Sequence, residues 1–293
     1  LNTPGGRFLV FVRAGEKSLH RGWIVPREQR SWDLVVSWYG DVPYEPIGDE
    51  LVLPQKGGKW DVIAAQLQQH PHLLDGYDYI WFPDDDIETD AASIDRIFAL
   101  TAAHALTLAQ PALTPDSYFY FVHTIVTPSL RLRYTNIVEV MVPCVRVGLV
   151  RRMLPHFATS SSGWSLDGIW TRLDPDNYRT SAIIDAVTVR HTRPMGKFLA
   201  GRLRQQGVEP KAEARTALRR FGHSSNMRYF PCYGGIDLKG RQVGHFTVWT
   251  RMLAAYLRSM PRWREENYRH RFLKMFRFAY RPSRLGQLVD HDR

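Results

Sequence analysis

Hydrophobic residues follow two alternating rhythms along this chain: short β-branched or aromatic runs, and stretches whose apolar positions recur three or four residues apart. Phe8 to Val12, Asp33 to Tyr39 and Glu50 to Leu53 predict strands divided by turn-forming clusters. Gly57-Gly58 then break the chain before Lys59 to Gln69, where Trp60, Ile63, Ala64 and Leu67 share one helical face. Tyr77 to Phe82 predicts a further strand, stopped by Pro83 and followed at once by Asp84-Asp85-Asp86. This is the order of an open α/β sheet covered by helices. It sets the three aspartates at the carboxyl edge of a buried strand, where such sheets bind ligands.

Ala91 to Leu106 predicts a helix, Leu106 to Gln110 a short strand ended by Pro111, and Ile137 to Val147 a strand region. Leu149 to Phe157 reads as a short helix interrupted by Pro155, Ser160 to Gly163 as a small-residue loop leading into Trp164 to Leu173, and Ser181 to His191 as a strand. Composition shifts at Pro194-Met195-Gly196. Beyond it, Lys197 to Phe221, Gln242 to Met260 and Trp263 to Ala279 predict three helices around a glycine turn at Tyr233-Gly234-Gly235. The expected organisation is an α/β domain over 1–195 and a basic, mainly helical region over 196–293.

Composition changes this picture at one point. The 293 residues are 44% hydrophobic, ample for a core and too apolar for a disordered chain. The net charge of +10 is unevenly held: residues 1–194 carry 18 Lys and Arg against 22 Asp and Glu, while residues 195–293 carry 21 against 7. A basic tail on an acidic body suits lipid headgroups, a phosphorylated carrier or nucleic acid, or is simply a solvated face. Trp263-Arg264 and Tyr268 to Phe278 interleave aromatic and basic residues at helical spacing, a pattern suited to an anionic membrane surface. Cys144 and Cys232 are the two cysteines, too few for a disulfide framework or a cysteine-rich zinc site. No apolar run reaches the roughly 18 residues of a membrane span, and Leu1 to Gly6 lack the pattern of a secretory signal. The expected location is cytoplasmic and peripheral on the inner face of a membrane, with an upstream segment left open by the lack of an initial Met.

Three adjacent carboxylates repel one another unless a cation or basic partner offsets them. Mg²⁺ or Mn²⁺ does so with oxygen ligands and bridges to phosphate. Asp84 and Asp86, at i and i+2, can address one site while Asp85 turns elsewhere; the plain alternative is a solvated turn or a helix cap. Asp167 stands between Trp164 and Trp170, and aromatic faces pack on the C–H faces of sugars while a carboxylate takes a hydroxyl proton; two core tryptophans and a cap would look the same. His191 ends a predicted strand, and as a third ligand its imidazole favours Mn²⁺ over Mg²⁺, although most such histidines are ordinary hydrogen-bonded residues. Lys17, Ser18 and His20 lie in a glycine-containing loop suited to nucleotide or phosphate, or in a surface turn. Lys59 at its helix start and Arg133 are candidate diphosphate or sugar contacts, although such residues are more often plain surface charges.

These residues fall into eight ordered motifs: Gly15 to His20, Trp38-Tyr39-Gly40, Gly58-Lys59-Trp60, Tyr77 to Asp86, Gln110 to Leu113, Tyr134 to Met141, Ser162 to Asp167, and Ile183 to Pro194. Together they resemble the plant and bacterial family known as domain of unknown function 707, over about Phe8 to Gly196. That family is taken to be glycosyltransferase-like, and more distantly the order is similar to the GT-A glycosyltransferase fold, an open mixed sheet flanked by helices. The resemblance implies that Asp84, Asp86 and His191 hold the metal, that Asp167 is the base of an inverting transfer, and that a nucleotide-diphosphate sugar, a UDP-sugar foremost, is the donor. Its motifs add Asp85 to the nucleotide side, and Tyr39 and Glu139 to Trp164 as sugar or acceptor contacts, with a glycan or lipid-linked glycan as acceptor. The chain departs from the common pattern in having no acidic residue before Asp167. Two other classes compete: a nucleic-acid-binding module using the basic aromatic tail, with no recognised binding motif, and a metal-dependent phosphoesterase, which needs more His and Asp ligands.

Overall fold

All seven residues of β1 (Phe8–Ala14) are buried, because the strand lies inside the sheet with both faces covered. It pairs in parallel with β2 (Trp32–Trp38) on one side and with the later strand β4 (Tyr79–Trp81) on the other, while β3 (Leu51–Pro54) pairs with the far side of β2. The remaining strands are β5 (Ile87–Glu88), β6 (Leu108–Leu113), β7 (Leu130–Thr135), β8 (Cys144–Arg146), β9 (Ser181–His191), β10 (Cys232–Asp237) and β11 (Gln242–Gly244). This computed structural model describes residues 7–160, 162–171, 173–174, 177–194, 201, 204, 207, 209–220 and 232–264. Among them the strands form one mixed sheet in the order β11-β10-β7-β9-β6-β8-β4-β1-β2-β3, with β5 paired to β9. The expected class, an open mixed α/β sheet flanked by helices, is what the chain adopts.

Alternate side chains of β1 feed two core layers. Leu9 and Phe11 meet Trp60, Ile63, Ala64 and Leu67 of α1 (Lys59–Gln69), where the predicted helix and the observed one coincide. Phe8 and Val10 meet Ile94, Ile97 and Phe98 of α3 (Ala91–Ala103), which follows the single turn α2 (His72–Asp75). Asp90 starts α3 by accepting from Ser93 N at 2.7 Å. The later helices are α4 (Val147–Phe157), α5 (Leu166–Ile169), α6 (Asn177–Thr180), α7 (Pro210–Arg220) and α8 (His245–Ser259).

Several expectations need correction. Pro111 does not end its strand: β6 runs on to Leu113, and a register shift against β9 after Pro111 absorbs the missing N–H. Of Ile137 to Val147 only β8 is strand, while β7 was not foreseen. Helix α4 continues past Pro155 to Phe157. Tyr233-Gly234-Gly235 is no turn but part of β10, antiparallel to β7, and a Cβ on Gly235 would lie 2.4 Å from Leu132 O, so a bare backbone is what permits this approach. Strand β10 therefore returns the chain, beyond the expected boundary, to the same sheet. Gln242 to Gly244 is strand, and α8 begins at His245. The aromatic and basic stretch beyond Arg264 lies outside the described residues. No helix among the described residues is long and apolar enough to cross a membrane.

Candidate functional site

Beyond Trp81 the chain is held by Phe82 N donating to Pro143 O (2.9 Å) and Asp84 N to Met141 O (2.7 Å). It then enters β5, which pairs antiparallel with the end of β9 so that Ile87 faces His191. Thr192 closes the pairing, its N and Oγ1 donating to Asp86 O at 3.1 and 2.8 Å. This small two-strand ladder is what carries a histidine from late in the sequence to the aspartates.

One ligand atom from each of Asp84, Asp86 and His191 lies within 4.8 Å of the others. His191 Nδ1 donates to Tyr118 O at 2.9 Å, which leaves Nε2 facing Asp86 Oδ2 at 3.2 Å. Burial opposes a charged imidazole, yet the hydrogen bond to Asp86 and the charges of Asp86 and Asp84 raise His191 to about 9. Burial also raises Asp84, against the pull of Lys59. Lys59, the first residue of α1, spends its three ammonium protons on Asp84 Oδ1 (2.5 Å), Phe82 O (2.9 Å) and Val140 O (3.0 Å).

Asp85 faces the other way. Its Oδ2 accepts from Tyr39 Oη (2.7 Å) and Gly15 N (3.4 Å), its Oδ1 from Arg193 Nη1 (3.3 Å), and its carbonyl from Leu19 N (2.7 Å) and Ser18 Oγ (3.3 Å). Asp85 so ties the loop after β1 and the ends of β2 and β9 together, and the Tyr39 hydroxyl is committed to it. Burial leads the upward shift of Asp85. Lys17 has an exposed side chain, and its carbonyl accepts from Arg193 Nη2.

Two candidates are turned away from any ligand. His20 is buried, with Nδ1 on Ser18 Oγ at 2.6 Å and Nε2 on Tyr44 Oη at 3.0 Å, and burial lowers it to about 4. Both ring nitrogens and the Ser18 hydroxyl are used in bracing the loop. Arg133 is fully buried and gives all five of its protons away: to both oxygens of Asp185 (2.7 and 2.9 Å), His123 O, Ile125 O and Tyr256 Oη. It has no donor left for a phosphate and is part of the core.

On the opposite wall, Asp167 in α5 is buried and its Oδ1 accepts from Val140 N at 2.8 Å. The preceding loop is pinned by Glu213 of α7, whose Oε1 accepts from Ser160 Oγ, Ser162 N and Ser162 Oγ at 3.1–3.2 Å. The two tryptophans divide: Trp170 is core, edge-on to Trp60 at 5.9 Å, while Trp164 is half-buried. Glu139 is buried too, its Oε1 accepting from Tyr120 N (3.2 Å) and Phe121 N (2.8 Å). Burial raises Glu139 to about 7, and burial followed by the Glu139 charge lifts Asp167 well above the carboxylate range. A second buried carboxyl group, from another segment of the chain, thus lies near enough to Asp167 for its charge to raise it. Reading the sequence did not reveal this pairing, nor Arg193 or the Tyr118 carbonyl; Arg193 lies two places after His191 and was the findable one. The arrangement has a place for a divalent cation, an ammonium beside it and two carboxyl groups able to take a proton.

No family model and no curated sequence matches this chain. Among solved structures it is similar to S. aureus TarS 1–349 in complex with UDP-GlcNAc, at 12% identity and a TM-score of 0.41 over 66% of this chain and 60% of that one. It is also similar to a mannosyltransferase from Pyrobaculum calidifontis in complex with GDP-Man and Mn²⁺, at 13% identity and a TM-score of 0.46 over 73% of this chain and 64% of that one. This chain thus spans less than two thirds of either.

Proposed function

We propose that this protein is a metal-dependent glycosyltransferase that moves a sugar from a nucleotide-diphosphate donor, a UDP-sugar foremost, to a glycan or lipid-linked glycan, as in polysaccharide biosynthesis. The observation that carries this reading is the convergence of Asp84, Asp86 and His191 beside Lys59 and Asp167. Two carboxylates and an imidazole whose other nitrogen is fixed by a carbonyl suit Mn²⁺, with Mg²⁺ as the harder alternative. When bound there, the ion supplies positive charge to the departing diphosphate. Lys59, whose three protons already go to Asp84 and two carbonyls, adds its positive charge near the phosphates without a free donor to give them, and Lys17 stands at the rim of the same edge.

Asp167 takes the proton of the acceptor hydroxyl, and its raised pKa makes its ionised form a stronger base. Glu139 keeps that pKa high through its own charge. Trp164 offers a ring to donor or acceptor sugar. Direct displacement of the diphosphate inverts the anomeric carbon. The resemblance of the eight ordered motifs to the domain of unknown function 707 family supports the same reaction class.

The test is Mn²⁺-dependent turnover of a panel of nucleotide sugars by the whole chain and by Asp86→Ala and Asp167→Ala. Transfer that survives Asp86→Ala undiminished overturns the metal role. Retention at the anomeric carbon removes Asp167 as the base.

A further inference from the structure

We infer that the solvent face of α8, with the groove beside it, docks on an anionic phospholipid surface and seats a lipid phosphate. Residues 245–262 contain Arg251, Arg258 and Arg262 and no Asp or Glu. Val248, Met252 and Tyr256 anchor the helix to the core. At 3.6 residues per turn, Arg251 and Arg258 then stand on one flank while Phe246 and Leu257 face away from the sheet. Phe246 is 80% exposed and Leu257 56%, the two large apolar side chains that α8 leaves to solvent.

Beside the arginine flank lies a groove of about 540 Å³. Pro115, Val126, Pro128, Ala254 and Ala255 give it an apolar floor. Arg251, Arg258 and Arg262 stand around it with the hydroxyl residues Ser129 and Ser259. Arg251 Nη1 donates to Ser129 O at 3.1 Å, which holds this guanidinium across the groove. Arg258 and Arg262 pair with no carboxylate among the described residues.

An apolar floor, a cationic rim and exposed apolar side chains on one helix complement a phosphate ester that carries a hydrocarbon chain. Free phosphate would engage the arginines and leave the floor, Phe246 and Leu257 unused. A lipid phosphate is the source that uses all of these features, and none of them belongs to the metal centre.

The experiment is co-sedimentation of the whole chain, without donor or metal, with vesicles of phosphatidylcholine alone or mixed with phosphatidylglycerol. Binding is expected to the mixed vesicles at low salt and not to the neutral ones. Arg258→Glu with Arg262→Glu should weaken it more than about thirtyfold, the loss of about 1 kcal/mol of attraction per arginine plus the repulsion of each new carboxylate. Phe246→Ser with Leu257→Ser should weaken it about tenfold while keeping the salt dependence, since apolar insertion is not screened. Arg258→Gln with Arg262→Gln, checked for native circular dichroism, repeats the test with a smaller perturbation. Unchanged binding in all these variants overturns the proposal. So does full competition by inorganic phosphate at the concentration of lipid phosphate, or tighter binding of single-stranded RNA lost in the same variants. Sugar transfer to a soluble acceptor persists in these variants, so failure here is distinguishable from failure of the transferase reading.

Discussion

Lys59 Nζ lies 2.5 Å from Asp84 Oδ1, at the edge of the cluster that Asp86 and His191 complete. In the metal-free protein the lysine lowers the pKa of Asp84 against the burial that raises it. It also stands where it repels a bound cation and attracts a diphosphate. Lys59→Met should therefore tighten Mn²⁺ binding alone by about five- to tenfold, the effect of removing about 1 kcal/mol of like-charge repulsion near a protein surface. The donor KM should rise at least as much. Isothermal titration with Mn²⁺, set beside steady-state kinetics, separates the two effects; weaker Mn²⁺ binding would mean that the lysine's role is to hold Asp84 in place.

Glu139 gives the fold a pH signature. Its folded pKa of about 7 lies above the usual glutamate value because burial penalises the charge. The neutral form therefore favours the fold below about pH 4.5, and that advantage is lost as pH rises through 7. Glu139→Gln keeps an oxygen for Tyr120 N and Phe121 N and cannot ionise. Metal-free wild type should lose stability relative to this variant across that window, by about 3 kcal/mol at most at about 1.4 kcal/mol per pKa unit. Urea melts at several pH values measure the gap. In turnover, removing the Glu139 charge lowers the Asp167 pKa, so the acidic limb of the rate profile should move to lower pH.

Much of the fold could be read in advance, for physical reasons that differ by element. The α1 helix and strand β9 were legible to the residue, one from an apolar face after two glycines and the other from a long β-branched run. The two proposed metal aspartates were readable because a buried strand, a proline and adjacent aspartates mark a sheet edge, whereas His191 was proposed as a ligand through the family resemblance. What failed was non-local. A buried arginine and a ligand arginine look alike in sequence, so Arg133 was misplaced; only the Asp185 opposite distinguishes them. Gly234-Gly235 signals a turn and close strand approach equally well. The meeting of Glu139 with Asp167 depends on the turn before β8 and the α5 segment packing together, which no local pattern encodes.

The Arg133 to Asp185 pair makes the correction testable. Both side chains are fully buried, so removing one partner leaves an uncompensated group. Arg133→Met should cost about 3–5 kcal/mol, and the double variant Arg133→Met with Asp185→Asn should recover part of it, since an Asn oxygen still accepts from Thr127 N. Arg133→Lys should lower stability in urea melts and leave the donor KM unchanged. A raised KM at preserved stability would return Arg133 to the diphosphate.

Gly163 holds the loop that presents Trp164 and Asp167, and it does so at φ +73°, where a side chain is strained. A Cβ there would lie 2.7 Å from Cδ1 and Nε1 of Trp60. That indole cannot yield, being packed on Phe157 at 4.6 Å, Phe82 at 5.7 Å and Trp170 at 5.9 Å. Gly163→Ala must therefore move the loop. Backbone strain of about 1–3 kcal/mol adds to the contact, so a loss of about 2–4 kcal/mol in urea melts is expected. The metal side of the site hangs on β4, β5 and β9, which the loop does not carry. Mn²⁺ affinity should thus stay within about twofold while kcat falls at least tenfold, because a base displaced by about an ångström loses its alignment with the acceptor hydroxyl. Equal losses of both would mean that the substitution spreads through Trp60 into α1 and Lys59, and the two walls of the site would then be one mechanical unit.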